Sequence, residues 1–422
     1  MTREIPVNHK PLYMIAAALI VSMPGTSAGQ DRPPGVRPDT GLDVGTEYDP
    51  LGIRAGGFRI FPSTDFSASY DDNVFATKDN TRSDYIFVVG PTIEVQSDFT
   101  RHAIGFNVFS RVGRYLDETK ENYWDYGIES EGTLDITRDN NLQGGFEVAR
   151  LHDTRDDPED DATIAESVRP VRYMNYEADL AYNHLFNRVT FRLGGDFDRR
   201  DYRQGAGSAN QNDRDRNIYT GLLRVGYNVS PRINTFVEGL YNVQRRDVGR
   251  DSAGLDRDSD GWGARAGVDV NFTDLLFGEA FGGFRQQFFD DSAFDTEQGL
   301  SYGLNLTWLP TLLTTVTLTG ARDFEPTTNT GASSNLETTV GLRVDHELLR
   351  NVLIGAEGGY VRDDFENTDR TDNRFDAGAD VTYLLNRHFS VGAAYQFSTR
   401  NSDSETAEFD SNIFTVRVRA QL

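Results

Sequence analysis

Two groups of residues in this 422-residue chain have types and spacings that could do chemistry. The first is Asp256-Arg257-Asp258-Ser259-Asp260-Gly261, in which carboxylates alternate ahead of a glycine, as in loops that wrap oxygen ligands round calcium. An EF-hand also needs a glutamate at its twelfth position, and Gly267 stands there. Calcium held by Asp256, Asp258 and Asp260 in an outer loop therefore competes with the preferred reading, a solvated acidic loop. The second group is larger and consists of charges at every other position of apolar stretches: Arg111, then Glu129, Glu131 and Asp135, then Glu147, and then Arg192 with Asp196. It continues through Arg224, Glu238, Arg265 with Asp269, Glu279 with Arg285, Arg343, Asp380, and finally Arg417 with Arg419. Such residues can form a wet, charged wall along which polar solutes pass. Acids outnumber bases on that face, so a weak preference for cations is expected.

Enzyme fingerprints do not accompany them. His346-Glu347 is followed by Leu348, Leu349 and Arg350, so the second histidine of a zinc-protease helix is missing. Gly261-Trp262-Gly263-Ala264-Arg265-Ala266 satisfies a permissive dinucleotide pattern, but it leads from an acidic loop into a strand, the wrong context. The six histidines are scattered. A barrel hydrolase could hold a serine and a histidine on its rim, but no pair stands out, and the chain is read as a non-enzyme.

The elements that must position the charges are β-strands. In the last segment Phe414, Val416, Val418, Ala420 and Leu422 fall on one face and Thr415, Arg417, Arg419 and Gln421 on the other. A period of two sorts them cleanly, whereas a helix would scatter the charges. The same sorting sets Val189, Phe191, Leu193 and Phe197 against Thr190, Arg192, Asp196 and Asp198, and Trp262 to Phe272 behaves alike. Short connections such as Asp98-Phe99, Leu185 to Asn187, Thr273-Asp274, Leu309 to Thr311 and Asn386-Arg387 alternate with long acidic ones. Among the long ones are Asp153 to Pro170, Arg200 to Arg216, Arg246 to Asp260, Asp323 to Asn335 and Arg400 to Asp410. Tight periplasmic turns and long outer loops are what a transmembrane antiparallel up-and-down β-barrel requires, here of about 18 strands with both termini on the periplasmic side. Phe186, Tyr227, Phe272, Trp308 and Phe389 flank short turns, and Tyr70, Tyr85, Trp124, Tyr173, Tyr219 and Trp262 flank long ones, so two aromatic girdles are expected. Inward aromatics are few (Phe109, Phe236 and Phe281), so a continuous sugar-stacking slide is not evident.

Composition agrees with a barrel. Hydrophobic residues make up only 37% of the chain, yet Gly (40), Phe (27) and Tyr (18) are abundant, and the mean hydropathy is -0.53. Apolar side chains on one strand face only would halve the apparent hydropathy in this way. A net charge of -24 argues against a nucleic-acid partner, because phosphate contacts need a basic surface. The absence of cysteine rules out a lipid-anchored N-terminus. Arg3, His9 and Lys10 precede the apolar run Leu12 to Met23 and the small residues Gly25 to Ala28. Residues 1–28 thus read as a signal peptide, 29–55 as a flexible periplasmic segment and 56–422 as the barrel.

The run Tyr70-Asp71-Asp72-Asn73-Val74-Phe75, after the approach Phe58-Arg59-Ile60-Phe61-Pro62-Ser63, resembles the β-barrel porin type 2 family over roughly Arg54 to Leu422. That family includes outer-membrane proteins associated with exopolysaccharide secretion. The resemblance implies a conduit in the outer membrane of a Gram-negative bacterium, with polysaccharide export as the leading expectation. It would be partnered by outer-membrane lipid, the β-barrel assembly machinery, polysaccharide and periplasmic export components. A general diffusion porin for small hydrophilic solutes is the alternative, and a non-conducting surface or structural barrel a further one. No cofactor is expected beyond the calcium candidate.

Overall fold

The computed structural model describes residues 48–157, 169–203, 211–272, 275–329 and 331–422. The expected signal peptide, residues 29–47 of the N-terminal segment and the turn Thr273-Asp274 lie outside them. All long elements are strands. A three-residue strand β1 (Ile53–Ala55) folds back on β2 (Phe58–Asp71). There follow β3 (Asp84–Ser97), β4 (Ala103–Tyr115), β5 (Tyr123–Asp135), β6 (Asn140–His152), β7 (Arg172–Phe186), β8 (Val189–Arg203), β9 (Arg216–Ser230) and β10 (Ile233–Arg246). The second half comprises β11 (Ser259–Asn271), β12 (Leu276–Phe289), β13 (Glu297–Thr311), β14 (Thr314–Pro326), β15 (Ser334–Leu349), β16 (Val352–Phe365), β17 (Thr371–Asn386), β18 (Phe389–Ser402) and β19 (Phe409–Gln421). Each strand from β2 onward pairs antiparallel with the next, and β19 pairs with β2, which closes an 18-stranded barrel as the alternation predicts.

The two faces differ as hydrocarbon and water demand. Large apolar side chains such as Leu193 (61% exposed), Leu300 (69%), Phe375 (51%) and Val416 (55%) point outward with nothing covering them. The charged residues take the other face. Arg224 on β9 reaches Glu279 on β12 at 2.7 Å, and Arg265 on β11 reaches Asp323 on β14 at 2.7 Å, each over two intervening strands. Only the concave side allows such chords. An ionised group on the convex face would cost roughly 2–4 kcal/mol near the membrane midplane, so the alternation is enforced residue by residue.

Three sequence expectations need correction. The turn expected at Leu309 to Thr311 is Leu312-Leu313, because β13 continues through Pro310. Proline cannot donate to the ladder, and here it sits at a register irregularity between Trp308 and Thr311, where no donor is needed. Strands β8, β14 and β18 run on to Arg203, Pro326 and Ser402, where loops were expected from Arg200, Asp323 and Arg400. Both faces are polar above the membrane, so the loss of apolar signal there looks like a loop. Tyr173, expected in the outer girdle, is 4% exposed and packs inward on Tyr202. By contrast Phe186, Tyr227, Trp308, Tyr85, Trp124 and Tyr219 are exposed at the two rims.

The family-like run Tyr70 to Phe75 lies at the seam. The Asp72 carboxylate accepts hydrogen bonds from the Asn412 backbone N–H (2.7 Å) and Nδ2 (2.8 Å), and the Asp72 N–H donates back to the Asn412 carbonyl (3.2 Å). Asn73 Nδ2 donates to the carbonyls of Asp410 and Thr77, both at 2.7 Å, and Phe75 is 2% exposed. The run therefore clasps the first barrel strand to the last at the outer end, just above the last ladder pair, Ile413 with Asp71.

Candidate functional site

The inner wall is built by strand parity. Every residue expected on the wet face falls on one side of its strand, as the registers Asn107 to Glu129 to Glu147, Arg192 to Arg224 to Glu238 to Arg265, and Asp345 to Gly355 to Asp380 trace. What the fold brings together is uneven.

One arc, from β9 to β14, holds a closed network. Arg224 Nε donates to Glu238 (2.9 Å) while its Nη1 donates to Glu279 (2.7 Å). Arg265 lies 3.7 Å from Glu238 and donates to Asp323 at 2.7 Å, and Arg285 also donates to Asp323. Asp269 stands opposite Glu279 in register, within the same patch. Three inward aromatics each carry one of the expected arginines on the ring face: Phe236 under Arg224 (3.7 Å), Phe281 under Arg265 (4.9 Å) and Phe109 under Arg111 (5.3 Å). Cation–π contact holds flat guanidinium groups at fixed height on the wall. Replacing Arg224 with Met should therefore destabilise the barrel by about 3 kcal/mol, because Glu238 and Glu279 lose their shared counter-charge in a largely buried setting. Urea titration of the detergent-solubilised protein would reveal it, and an unchanged midpoint would show the network to be solvent-screened.

A second group joins Arg343 to Asp345 (2.8 Å), Glu357 (3.0 Å) and Asp380 (3.1 Å). A third is acidic: Glu129, Glu147 and Glu177 stand abreast on β5, β6 and β7. Amides approach them within hydrogen-bond range, Asn107 Nδ2 donating to Glu129 (2.6 Å) and Asn175 Nδ2 to Glu147 (3.0 Å) and Glu177 (2.8 Å). Glu131 and Asp135 extend this acidic side along β5. Arg192 donates to Gln143 (3.2 Å) and Asn183 (3.3 Å), near Asp196, and Asp196 faces Asp179 in register. Arg417 lies 3.9 Å from Asp65, and Arg419 donates to Ser63 (3.4 Å).

The outer mouth is crossed by a loop. Asp153 pairs with Arg214 at 2.7 Å, and Arg155 makes a two-pronged pair with Glu121 (2.8 and 3.0 Å). Asp156 then reaches β17 and β18, where Arg374 Nη1 donates to its carboxylate (3.2 Å) and Arg400 Nη1 to its carbonyl (2.9 Å). These strands lie far round the barrel from β6, so residues 153–157 run as a strap across the opening. A second loop, between β14 and β15, is gripped by Arg257 (2% exposed), which donates to the carbonyls of Thr327 (3.0 Å), Ala332 (2.7 Å) and Asn329 (3.2 Å). Neither Asp156 nor Arg257 shows its partners in the sequence. Asp323 and Glu357 were legible in principle, because each continues its strand's inward parity.

The calcium candidate does not assemble. Asp260 is taken by Arg245 (3.1 and 3.2 Å), and Asp258 Oδ1 accepts the Arg246 N–H at 2.7 Å. No group of three or more His, Cys, Asp or Glu side chains among the described residues converges to hold a metal ion.

These outer pairs titrate. Arg199, by hydrogen bond and then by charge, holds the Asp247 carboxyl below the ordinary range. Burial alone would raise Asp251, but Arg257 and the backbone N–H groups of Leu255 and Ala253 outweigh it and hold that carboxyl low too. A folded pKa below the unfolded one adds stability that is present above the ordinary aspartate value, about 4, and is lost as pH falls through the folded value. The protection factors of amides in residues 247–257 should therefore hold at neutral pH and fall on acidification below the ordinary aspartate range, ahead of those of the strand ladders.

A closed, 18-stranded barrel with an apolar outside and an ionised inside defines an outer-membrane β-barrel of the porin kind. The chain belongs to the family described as "Putative beta-barrel porin 2", whose profile matches residues 46–422. No curated protein sequence matches it. Among solved structures it is similar to OpdL of Pseudomonas aeruginosa (15% identity, 87% of this chain and 100% of that one, TM-score 0.44). It is likewise similar to OpdO of the same organism (14%, 86% and 97%, 0.45) and to a BenF-like porin from Pseudomonas fluorescens Pf-5 (12%, 86% and 99%, 0.45).

Proposed function

We propose that the protein is an outer-membrane conduit for small hydrophilic solutes with a mild preference for cations, and that it carries no catalytic activity. The observation that carries this reading is the combination of a charged inner wall with a strap, Asp153 to Asp156, tied to both sides of the outer mouth. A polymer would have to thread past that strap, and among the described residues no continuous row of inward aromatics offers it a track, so export of exopolysaccharide is the less well supported use. The glutamate row of β5 to β7, which accepts hydrogen bonds from the neutral amides of Asn107 and Asn175, supports the cation preference. Lipid on the apolar outer face and the assembly machinery that inserts such barrels are the partners this reading requires.

Planar-bilayer recording with the purified protein tests it. Discrete conductance steps, with a reversal potential displaced toward the cation in a salt gradient, are expected. Glu129→Gln with Glu147→Gln should shrink that displacement. A silent bilayer would defeat the conduit reading, and ready passage of long saccharide chains into loaded liposomes would defeat the size limit.

A further inference from the structure

The inner wall on β10 to β12 contains one place where charge is satisfied and hydrogen bonding is not. Asn242, Gly261 and Gln287 stand side by side in register and point inward. Asn242 and Gln287 are each 4% exposed, yet Asn242 Oδ1 and Gln287 Oε1 have no hydrogen-bond partner. Both oxygens crowd the same spot above the glycine: a Cβ on Gly261 would lie 2.4 Å from the first and 2.0 Å from the second. A donor placed between two acceptors of like partial charge directed at one point relieves both.

Arg265 and Arg285 line the same recess. Their terminal nitrogens are taken by Asp323, and Glu238 adds a further counter-charge at 3.7 Å from Arg265. The Nε of each guanidinium is nevertheless without a partner. The recess thus asks for a donor at one side and an acceptor at the other, and because Asp323 and Glu238 already answer the two arginines and Glu325 adds a further carboxyl, no positive charge is left for an anion to meet. Leu222 and Leu240 supply an aliphatic surface beside these groups, and Pro326, Ser333 and Ser334 border the space.

We propose that this recess binds a small uncharged polyol. Its hydroxyls donate to Asn242 Oδ1 and Gln287 Oε1 and accept from the free Nε–H groups, while its carbon face rests on Leu222 and Leu240. A hydroxyl serves as donor and acceptor at once without charge. A carboxylate would face Asp323, Glu238 and Glu325, and an ammonium would face Arg265 and Arg285, so both charged analogues should bind more weakly than the neutral ring. This inference rests on the conduit reading only for how the ligand arrives.

Equilibrium dialysis of labelled glucose against the full-length protein in detergent tests it, with glucuronate and glucosamine as anionic and cationic forms of the same ring. Saturable glucose binding is expected, with both charged analogues at least about tenfold weaker. Asn242→Ala with Gln287→Ala should weaken glucose by about tenfold or more, and Gly261→Ala, which fills the spot between the oxygens, should do the same. Retained folded mobility on unheated gels shows that these variants still form the barrel. Absence of saturable binding, equal or tighter binding of either charged analogue, or indifference to the substitutions would overturn the assignment. Binding in detergent does not depend on conduction: a conducting barrel that ignores glucose sinks this proposal alone, and a silent barrel that binds it sinks the conduit reading alone.

Discussion

Replacing Asp156 with alanine together with Arg400 with glutamine should raise single-channel conductance by about twofold or more, because a pore conducts as its narrowest section allows. The substitutions remove the carboxylate that Arg374 holds at 3.2 Å and the guanidinium that holds the Asp156 carbonyl at 2.9 Å. Arg374 keeps a second carboxylate, Asp376, at 3.1 Å, so no charge is stranded on the wall. The far anchors, Asp153 with Arg214 and Arg155 with Glu121, remain, so the strap is released on one side rather than lost. Those anchors are nearly dry, with side-chain exposures of 2% for Glu121 and 7% for Arg155, and salt should screen them little. Conductance of the variant should accordingly become noisy, as a tethered segment enters and leaves the lumen, while the untouched protein conducts quietly. If the two proteins conduct alike, residues 153–157 do not set the narrow section.

How much of this was legible before the fold was known depends on what each residue is near. Arg417 and Phe414 could be assigned to opposite faces because a strand's period of two sorts side chains within one segment. Closure of an even number of strands followed from the alternation of short and long connections. Asp323 was misplaced because the polar run Asp323 to Asn335 looks like a loop, although β14 extends through it to Pro326. The strap was invisible: Arg374 and Asp156 are 218 positions apart, and nothing local to either marks the other. The same limit hid the partners of Arg257, whose guanidinium is spent on backbone carbonyls that any residue could offer. Periodicity thus reports which side of the wall a residue occupies, while contacts across the mouth depend on loop paths that periodicity does not encode.

The seam supplies the other large effect. An antiparallel barrel has one junction that no hairpin enforces, here β19 against β2, and it must be found by strands far apart in the chain. The Asp72 carboxylate meets Asn412 through two hydrogen bonds at 2.7 and 2.8 Å, and Asn73 ties on to the Asp410 carbonyl at 2.7 Å. Asp72→Ala with Asn73→Ala removes three such bonds and leaves the Asp410 carbonyl and the Asn412 amide without them, for a combined loss of about 2–4 kcal/mol. The temperature at which the protein changes from folded to unfolded mobility on gels should fall by several degrees, since a loss of this size is a large part of a typical folding free energy. Asp364→Ala is the control, because that carboxylate pairs with Arg362 in its own strand at 2.8 Å and bridges no seam. Equal shifts for the seam variant and the control would mean that the ladder Ile413–Asp71 to Gln421–Ser63 closes the barrel unaided. A shift confined to the seam variant would give Tyr70 to Phe75 a physical role, the fastening of the last strand to the first.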